Sequence, residues 1–586
     1  MPKFNAWLVV ALLCLPILAS SAQEKPDLPE GATLIPDVSM TLSDGTRLAT
    51  DIVLPAGVGP FPVMLWRNPY NKDGTTYGEG REYVEDGYAV VSQDVRGKFK
   101  SEGVWDPFRY ESRDGKETLE WIASQEWCNG KIGLAGGSYL GFTQCINAPN
   151  AIQALASMSP VVPWGNTYHD LLYWGGAFRL QLGFFWGSLQ ALQDEGKPAP
   201  DFITGDLLKK LPLATWDENV GLEIGYLRDW IEHNTHDDYW KDHEVGDRVE
   251  DVTIPALYIG GWYDIFQNGT VDYWNGVRTR SKSLQARERQ HLIMGPWTHG
   301  ISPKDGQVGE LNFGEASNIH PGRLRKEWFA ETLKGEDHGF SEFPPFRLFV
   351  MGANVWRDEK EWPLARTEYK DFYLRATGAA NTSAGSGALA WEPLQDNRDT
   401  ETFIYDPANP VPTQGGSLLW PTAGPRNQSE IEKRKDVLVF TSEVLGETVE
   451  VTGPVHLRLF AASTAPDTDF TAKLVDVHPS ETGDGTPYNI TDGILRASFR
   501  ESDKTPSPIE PGKVYEYDIH LGYTSNAFLP GHRIRVEISS SNFPRFDRNP
   551  NTGHPFGSDD VIATATQTVY HSAEYPSRLV LPVIPN

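Results

Sequence analysis

Three side chains far apart in the chain, Ser138, Asp264 and His299, are of the types that together make an activated nucleophile. A serine hydroxyl attacks a carbonyl at neutral pH only when an imidazole takes its proton and a carboxylate holds that imidazole. Ser138 lies in Gly136-Gly137-Ser138-Tyr139-Leu140-Gly141, where a strand-like run enters a helix-like one. The glycines at 133, 136, 137 and 141 do not have the G-x-G-x-x-G spacing of a dinucleotide site. Gly136 and Gly141 have the first spacing of a phosphate loop, but Phe142-Thr143 follows where its lysine belongs. What remains is a sharp turn with a serine at its tip. Its left side fits G-x-S-x-G, whereas Leu140 replaces the right-hand glycine and Gly141 comes one residue late. On the turn alone, a purely structural strand-to-helix connection is an equal reading.

The partners weigh against that reading. Asp264 ends the strand-like "ALYIGGWYD" and His299 ends "HLIMGPWTH", giving the order serine, acid, histidine with each at the carboxyl end of a strand. Alone, Asp264 would serve as a helix cap and His299 as a turn residue; the joint placement favours catalysis. The oxyanion formed on attack needs fixed donors, and the N–H of Tyr139, directly after the serine, is one. A second is the hydroxyl of Tyr70, at the end of "VMLWRNPY"; a packed aromatic rim is its alternative role.

The elements that must position these residues alternate. A hairpin is predicted over 37–55, strands over 62–70, 87–97, 131–135 and 151–160, and helices over 114–127 and 139–147. This reads as a mostly parallel sheet covered by helices. From 161 to 246 the pattern changes to aromatic-rich helices, a cap inserted before strand-like order returns at 252–264 and 291–300, followed by a helix over 323–335. After 345 short alternating segments separated by Gly, Pro, Asp and Asn predict an antiparallel β-sandwich. The boundaries are therefore 23–160 and 247–345 for the sheet domain, 161–246 for the cap and 346–586 for the sandwich.

The 586 residues exceed what one core supports, so several domains are expected. Lys3, an apolar run to Leu18 and Ser20-Ser21-Ala22 read as a signal peptide over 1–22, cleaved before Gln23, which places the mature chain in the periplasm or outside the cell. About 13 apolar residues are short for a span of roughly 20, and no later run is longer, so no membrane partner is expected. Loss of Lys3 and no acid takes the formal charge from −27 to −28, a surface that repels nucleic acid. Cys128 and Cys145 would then be the remaining cysteines, either one bridge or two buried thiols. The composition is compatible with a homo-oligomer.

For substrate selection, Trp164, Tyr168, Tyr173, Trp174 and Phe178 lie in the cap's aromatic run and are candidates to line an apolar pocket; at helical spacing they serve equally as core. A substrate ammonium would need a carboxylate, with Asp73, Asp170, Asp237 and Asp238 as candidates by location. His233, His236, Asp237 and Asp238 make an incomplete ligand set, so no metal and no cofactor are expected.

The segment Gly136-Gly137-Ser138-Tyr139-Leu140-Gly141 closely resembles the G-x-S-Y-x-G motif of the cocaine esterase and X-prolyl dipeptidyl-peptidase family, which also holds α-amino acid ester hydrolases and glutaryl cephalosporin acylases. "RNPY" at 67–70 resembles the family's oxyanion segment, "GWYD" at 261–264 its acid segment and "GPWTH" at 295–299 its histidine segment. "QDVRGKFKSEG" at 93–103 and "HDDYW" at 236–240 are similar to further family segments, which we read as structural. The resemblance runs from about residue 37 to the end. It implies an α/β-hydrolase sheet with an inserted helical cap, followed by a C-terminal all-β jelly-roll-like sandwich. It also implies acyl transfer through a serine ester without cofactor, on a small-molecule ester, an amide or a short peptide. An acyl esterase or α-amino acid ester hydrolase is the leading expectation; an X-Pro dipeptidyl-peptidase, a glutaryl-type amide acylase and a non-catalytic glycan-binding protein are the alternatives.

Overall fold

The computed structural model describes residues 27–194, 205–393, 400–419, 421–480 and 485–585; the leader-like residues 1–22 lie outside them. Ten strands form the first sheet: β1 (Thr33–Thr41), β2 (Arg47–Leu54), β3 (Phe61–Asn68), β4 (Ala89–Asp94), β5 (Cys128–Gly137), β6 (Leu155–Val161), β7 (Ala256–Gly261), β8 (Gln290–Gly295), β9 (Phe346–Val350) and β10 (Val355–Glu359). Their order is β1-β2-β4-β3-β5-β6-β7-β8-β9-β10. From β4 to β9 neighbouring strands run parallel, and only the β1–β2, β2–β4 and β9–β10 pairs are antiparallel. The central strands are apolar on both faces, as a sheet covered on both sides requires; every residue of β4, β7 and β8 is buried. Because β9 pairs parallel to β8 and β10 antiparallel to β9, the first sheet continues to Glu359.

Helices α1 (Glu111–Ala123) and α2 (Tyr139–Asn147) flank the middle of this sheet. The acids that open α1 are buried and paired: Glu111 Oε2 accepts from Arg67 Nη1 at 2.5 Å and Asp114 from Arg96 Nε at 2.8 Å. Burial leaves such carboxylates stable only when partnered. "QDVRG" is structural in this sense: it supplies Arg96 and also Asp94, which accepts from Lys72 N at 2.7 Å.

Between β6 and β7 the described residues form mainly short helices. A π-turn (Thr167–Leu172) leads into a two-residue hairpin, Tyr173–Trp174 against Ala177–Phe178, before α3 (Leu180–Asp194) and α4 (Gly225–Glu232). Gly175 and Gly176, with φ of 52° and 79°, stop the helix expected through this run. A Cβ on Gly175 would also lie 2.2 Å from the carbonyl oxygen of Ile494, so the hairpin meets the second sheet too closely for any side chain.

The chain returns through β7, α5 (Gln267–Arg280), β8 and α6 (Pro321–Phe329). Among the described residues from Glu368 to Ile584, eleven strands form one all-β sheet system. A single hydrophobic cluster runs from Val63 in the first sheet through Trp230 in the inserted segment to Leu579 in the sandwich. The sandwich also braces the acid segment: the Tyr263 hydroxyl donates to Asn489 O and Gln267 Nε2 to Tyr523 O. No described helix is long and apolar enough to cross a membrane. Cys128 and Cys145 are free thiols, Cys145 buried and Cys128 half-buried.

Candidate active site

Ser138 follows β5 with φ 58° and ψ −124°, a conformation that side chains other than glycine rarely adopt and that costs of order 1–3 kcal/mol. The surrounding backbone enforces it. Ser138 N donates to Val161 O at 2.9 Å, and Ser138 O accepts from Gly141 N and Phe142 N to open α2. Gly141 is where the strain requires a glycine, because a Cβ there would sit 2.9 Å from Val161 O and 3.3 Å from Pro163. The glycine one place late in the motif is thus the contact that lets α2 lie against β6.

Asp264, beyond the end of β7, is fully buried, and His299, beyond the end of β8, is nearly so. Asp264 Oδ2 accepts from His299 Nδ1 at 2.6 Å, and Asp264 Oδ1 accepts from Phe266 N at 2.8 Å. A carboxylate only accepts, so the Nδ1 proton is fixed there and Nε2 is the basic nitrogen of the neutral ring. Ser138 and His299 line one cavity of about 260 Å³. Their side chains are not hydrogen-bonded to one another here, as is common before substrate closes such a pair.

Tyr70, beyond the end of β3, lines the same cavity, and its hydroxyl accepts from Trp186 Nε1 at 3.1 Å. An indole N–H only donates, so this bond fixes the Tyr70 oxygen without using the tyrosine's own proton. Tyr139 opens α2, where N–H groups lack partners within the helix. Its side chain anchors downward: the hydroxyl donates to Glu111 Oε1 at 2.8 Å and accepts from Phe108 N at 3.2 Å. Burial raises the Glu111 carboxyl above its ordinary range, and the Arg67 guanidinium opposes that rise. One buried network, Arg67–Glu111–Tyr139, thereby ties the oxyanion-side strand end to the turn holding the serine.

Of the five cap aromatics expected at the pocket, Trp164 is in the cavity wall. Tyr168, Tyr173, Trp174 and Phe178 are not. Tyr168 and Tyr173 donate to the carbonyls of Asn234 and Trp230, Phe178 packs on Phe184, and Trp174 Nε1 reaches His520 O in the sandwich. The wall is made instead by Leu182, Trp186 and Leu189 of α3, Leu171 of the π-turn, Phe108 and Leu419. Phe108 carried a signal only the backbone shows, a φ of 75°, and it stacks on Trp186 at 5.5 Å. Among the described lining residues none is Asp, Glu, Lys or Arg.

The four carboxylates considered for a substrate ammonium lie elsewhere. Asp73 pairs with Lys72 at 3.1 Å; Asp170 is half-buried and accepts from Asn166 N at 2.9 Å; Asp237 pairs with His233 at 2.8 Å; Asp238 is exposed beside Lys241. A slightly larger cavity, about 300 Å³, lies between the inserted segment and the sandwich, lined by Asp467, Arg496 and Asp547 among others. It contains none of the serine, histidine or tyrosine groups, so size does not identify the reactive site.

Comparison with known proteins identifies the family. The family described as X-Pro dipeptidyl-peptidase (S15 family) matches residues 44–301, and the X-Pro dipeptidyl-peptidase C-terminal non-catalytic domain matches 338–580. The chain is 39% identical over 576 residues to cocaine esterase of Rhodococcus sp. (strain MB1 Bresler), covering 94% of this chain and 98% of that protein. It is 22% identical over 521 residues to a putative Xaa-Pro dipeptidyl-peptidase of Bacillus anthracis, covering 83% and 76%. Among solved structures, an aminopeptidase from a marine sediment Thaumarchaeota archaeon superposes with a TM-score of 0.83 at 26% identity, covering 97% of this chain and 99% of that one. An α-amino acid ester hydrolase gives 0.80 at 27% identity with the same coverage. The chain belongs to the CocE/NonD (S15-like) family of serine hydrolases, with an α/β-hydrolase sheet followed by a jelly-roll-like sandwich.

Proposed function

We propose that the protein is an acyl esterase acting on esters of neutral, apolar acids through a covalent acyl-enzyme on Ser138. His299 Nε2 takes the proton of Ser138 Oγ as that oxygen attacks the ester carbonyl, and Asp264 holds the ring and stabilises the imidazolium. Tyr139 N–H and the Tyr70 hydroxyl receive the developing oxyanion. His299 then protonates the leaving alcohol. Water, deprotonated by the same nitrogen, attacks the acyl-enzyme, and Ser138 recovers its proton as the acid leaves.

The observation that carries the choice of substrate is the lining of the cavity: mostly leucine and aromatic side chains, with the neutral Gln190 and no carboxylate among the described residues. An aminopeptidase or α-amino acid esterase must bury a cationic ammonium, and doing so unpaired is costly. An aryl or branched acyl group pays no such cost. The 39% identical relative is named a cocaine esterase, which supports an esterase reading. Turnover of phenyl benzoate, phenylglycine methyl ester and Ala-Pro anilide tests the reading. We expect kcat/KM for the benzoate at least tenfold above the other two. Preference for the anilide or the amino ester would contradict it. We place the mature chain in the periplasm or medium on the strength of its leader-like first 22 residues; a secreted form whose amino terminus is Gln23 is the expected result of terminal sequencing.

A further inference from the structure

Where the π-turn of the inserted segment meets the sandwich, three side chains from distant parts of the chain converge: His169, His236 and Asp503. His169 Nε2 lies 3.1 Å and His236 Nδ1 3.5 Å from the same oxygen, Asp503 Oδ2. The main chain fixes the approach, since His236 N donates to Asp503 O at 3.0 Å. The other ring nitrogen of His236, Nε2, is held by Glu244 at 3.0 Å.

This last bond decides the electrostatics. Glu244 accepts only, so Nε2 of His236 carries a proton, and in the neutral ring the Nδ1 lone pair then points at a carboxylate oxygen. Two lone pairs facing each other at 3.5 Å repel unless a positive charge joins them. A second proton on the ring is one such charge; a metal cation is the other. The spacing also admits the latter. Ligand atoms about 2.0–2.2 Å from a tetrahedral ion are separated by roughly 3.3 Å, between the two distances observed. A carboxylate on the far nitrogen of a ligating histidine is also the usual outer shell of such a centre.

We propose that His169 Nε2, His236 Nδ1 and Asp503 Oδ2 bind one divalent transition cation of the zinc type, bracing the inserted segment against the sandwich. Two imidazoles and one carboxylate suit zinc-like ions, not calcium or magnesium, which take all-oxygen shells. Three protein ligands leave the fourth position to water. His169 and Asp503 are 44% and 38% exposed, so an ion enters directly from solvent. The bracing has a consequence for the reactive cavity, because the π-turn carrying His169 also carries Leu171 of its wall. From the sequence, His233, His236, Asp237 and Asp238 are an incomplete ligand set with no metal expected; in the structure His233 pairs with Asp237, and His236 is joined instead by His169 and a sandwich residue.

The test uses the full, untagged protein after chelator treatment and dialysis, titrated with zinc sulfate by calorimetry and followed by thermal melting, with calcium chloride as the comparison. We expect one zinc per chain, a melting temperature raised by several degrees by zinc and unchanged by calcium, and at least tenfold weaker binding in both His169→Ala and Asp503→Asn. His478→Ala removes a member of the other His–Asp cluster, in which His532 Nδ1 already bonds Asp476 Oδ1 at 2.8 Å, and should leave zinc binding unchanged. Cobalt substituted for zinc should give the intense visible bands of a tetrahedral centre, a signature that a folding defect in the variants does not mimic. Absence of saturable zinc binding to the wild type, or stoichiometric binding unaltered in the His169 and Asp503 variants, overturns the proposal.

Discussion

The floor of the reactive cavity is made at the carboxyl ends of β3, β5, β7 and β8, one short motif per strand, whereas its roof is a helix, a π-turn and a loop of the sandwich. The floor is polar, strained and tightly bonded: Ser138 is held at φ 58°, and His299 and Asp264 at 2.6 Å. The roof is mainly leucines and aromatic rings, with Gln190 among them. Chemistry that needs atoms fixed to within a fraction of an ångström is built on rigid strand ends, and selection among acyl groups is left to side chains that can change volume.

If this division is right, substitutions on the floor should abolish turnover and those on the roof should redistribute it. Ser138→Ala and His299→Ala should each lower kcat by roughly 10⁴-fold or more with folding unchanged by circular dichroism. Asp264→Asn should lower it by about 10⁴-fold, because an amide donates a proton to Nδ1 and selects the wrong tautomer. Tyr70→Phe keeps the ring packing and removes one oxyanion donor, so kcat should fall about 10²- to 10³-fold with little change in KM. On the roof, Leu189→Ala should alter the ratio of kcat/KM between benzoate and acetate esters by roughly tenfold while leaving acetate turnover near wild type. Trp186→Phe, which removes the indole N–H donated to the Tyr70 oxygen, should cost only about 2- to 10-fold in kcat. A roof substitution that matched Tyr70→Phe in effect would erase the distinction between the two surfaces.

The same contrast explains what the sequence makes legible. Ser138, Asp264, His299 and Tyr70 each follow an apolar strand, and such strand ends are readable because a continuous apolar run stops abruptly at glycine or polar residues. The turn's displaced glycine is readable as a feature, but its reason, contact with Val161 O, needs the neighbouring strand. The roof is opaque for a physical cause. Tyr168 and Tyr173 have the same spacing whether a ring faces a cavity or a core, and only their hydroxyl bonds to main-chain carbonyls show the latter. Leu182 and Leu189 are indistinguishable in sequence from core leucines. Helix α5 is likewise faint, since Asn268, Gly269, Thr270 and Gly276 are weak helix formers carried by tertiary packing. The least legible feature is the His169–His236–Asp503 cluster, whose members meet only after the sandwich folds back on the inserted segment.

The central claim is that Ser138 is made nucleophilic by His299. Reaction of the folded protein with a fluorophosphonate, followed by intact-mass measurement and peptide mapping, tests it most directly. The account predicts a single adduct on Ser138, absent in Ser138→Ala and formed at least 10²-fold more slowly in His299→Ala. Adduct formation at an equal rate in either variant, or none on the wild type, would contradict it.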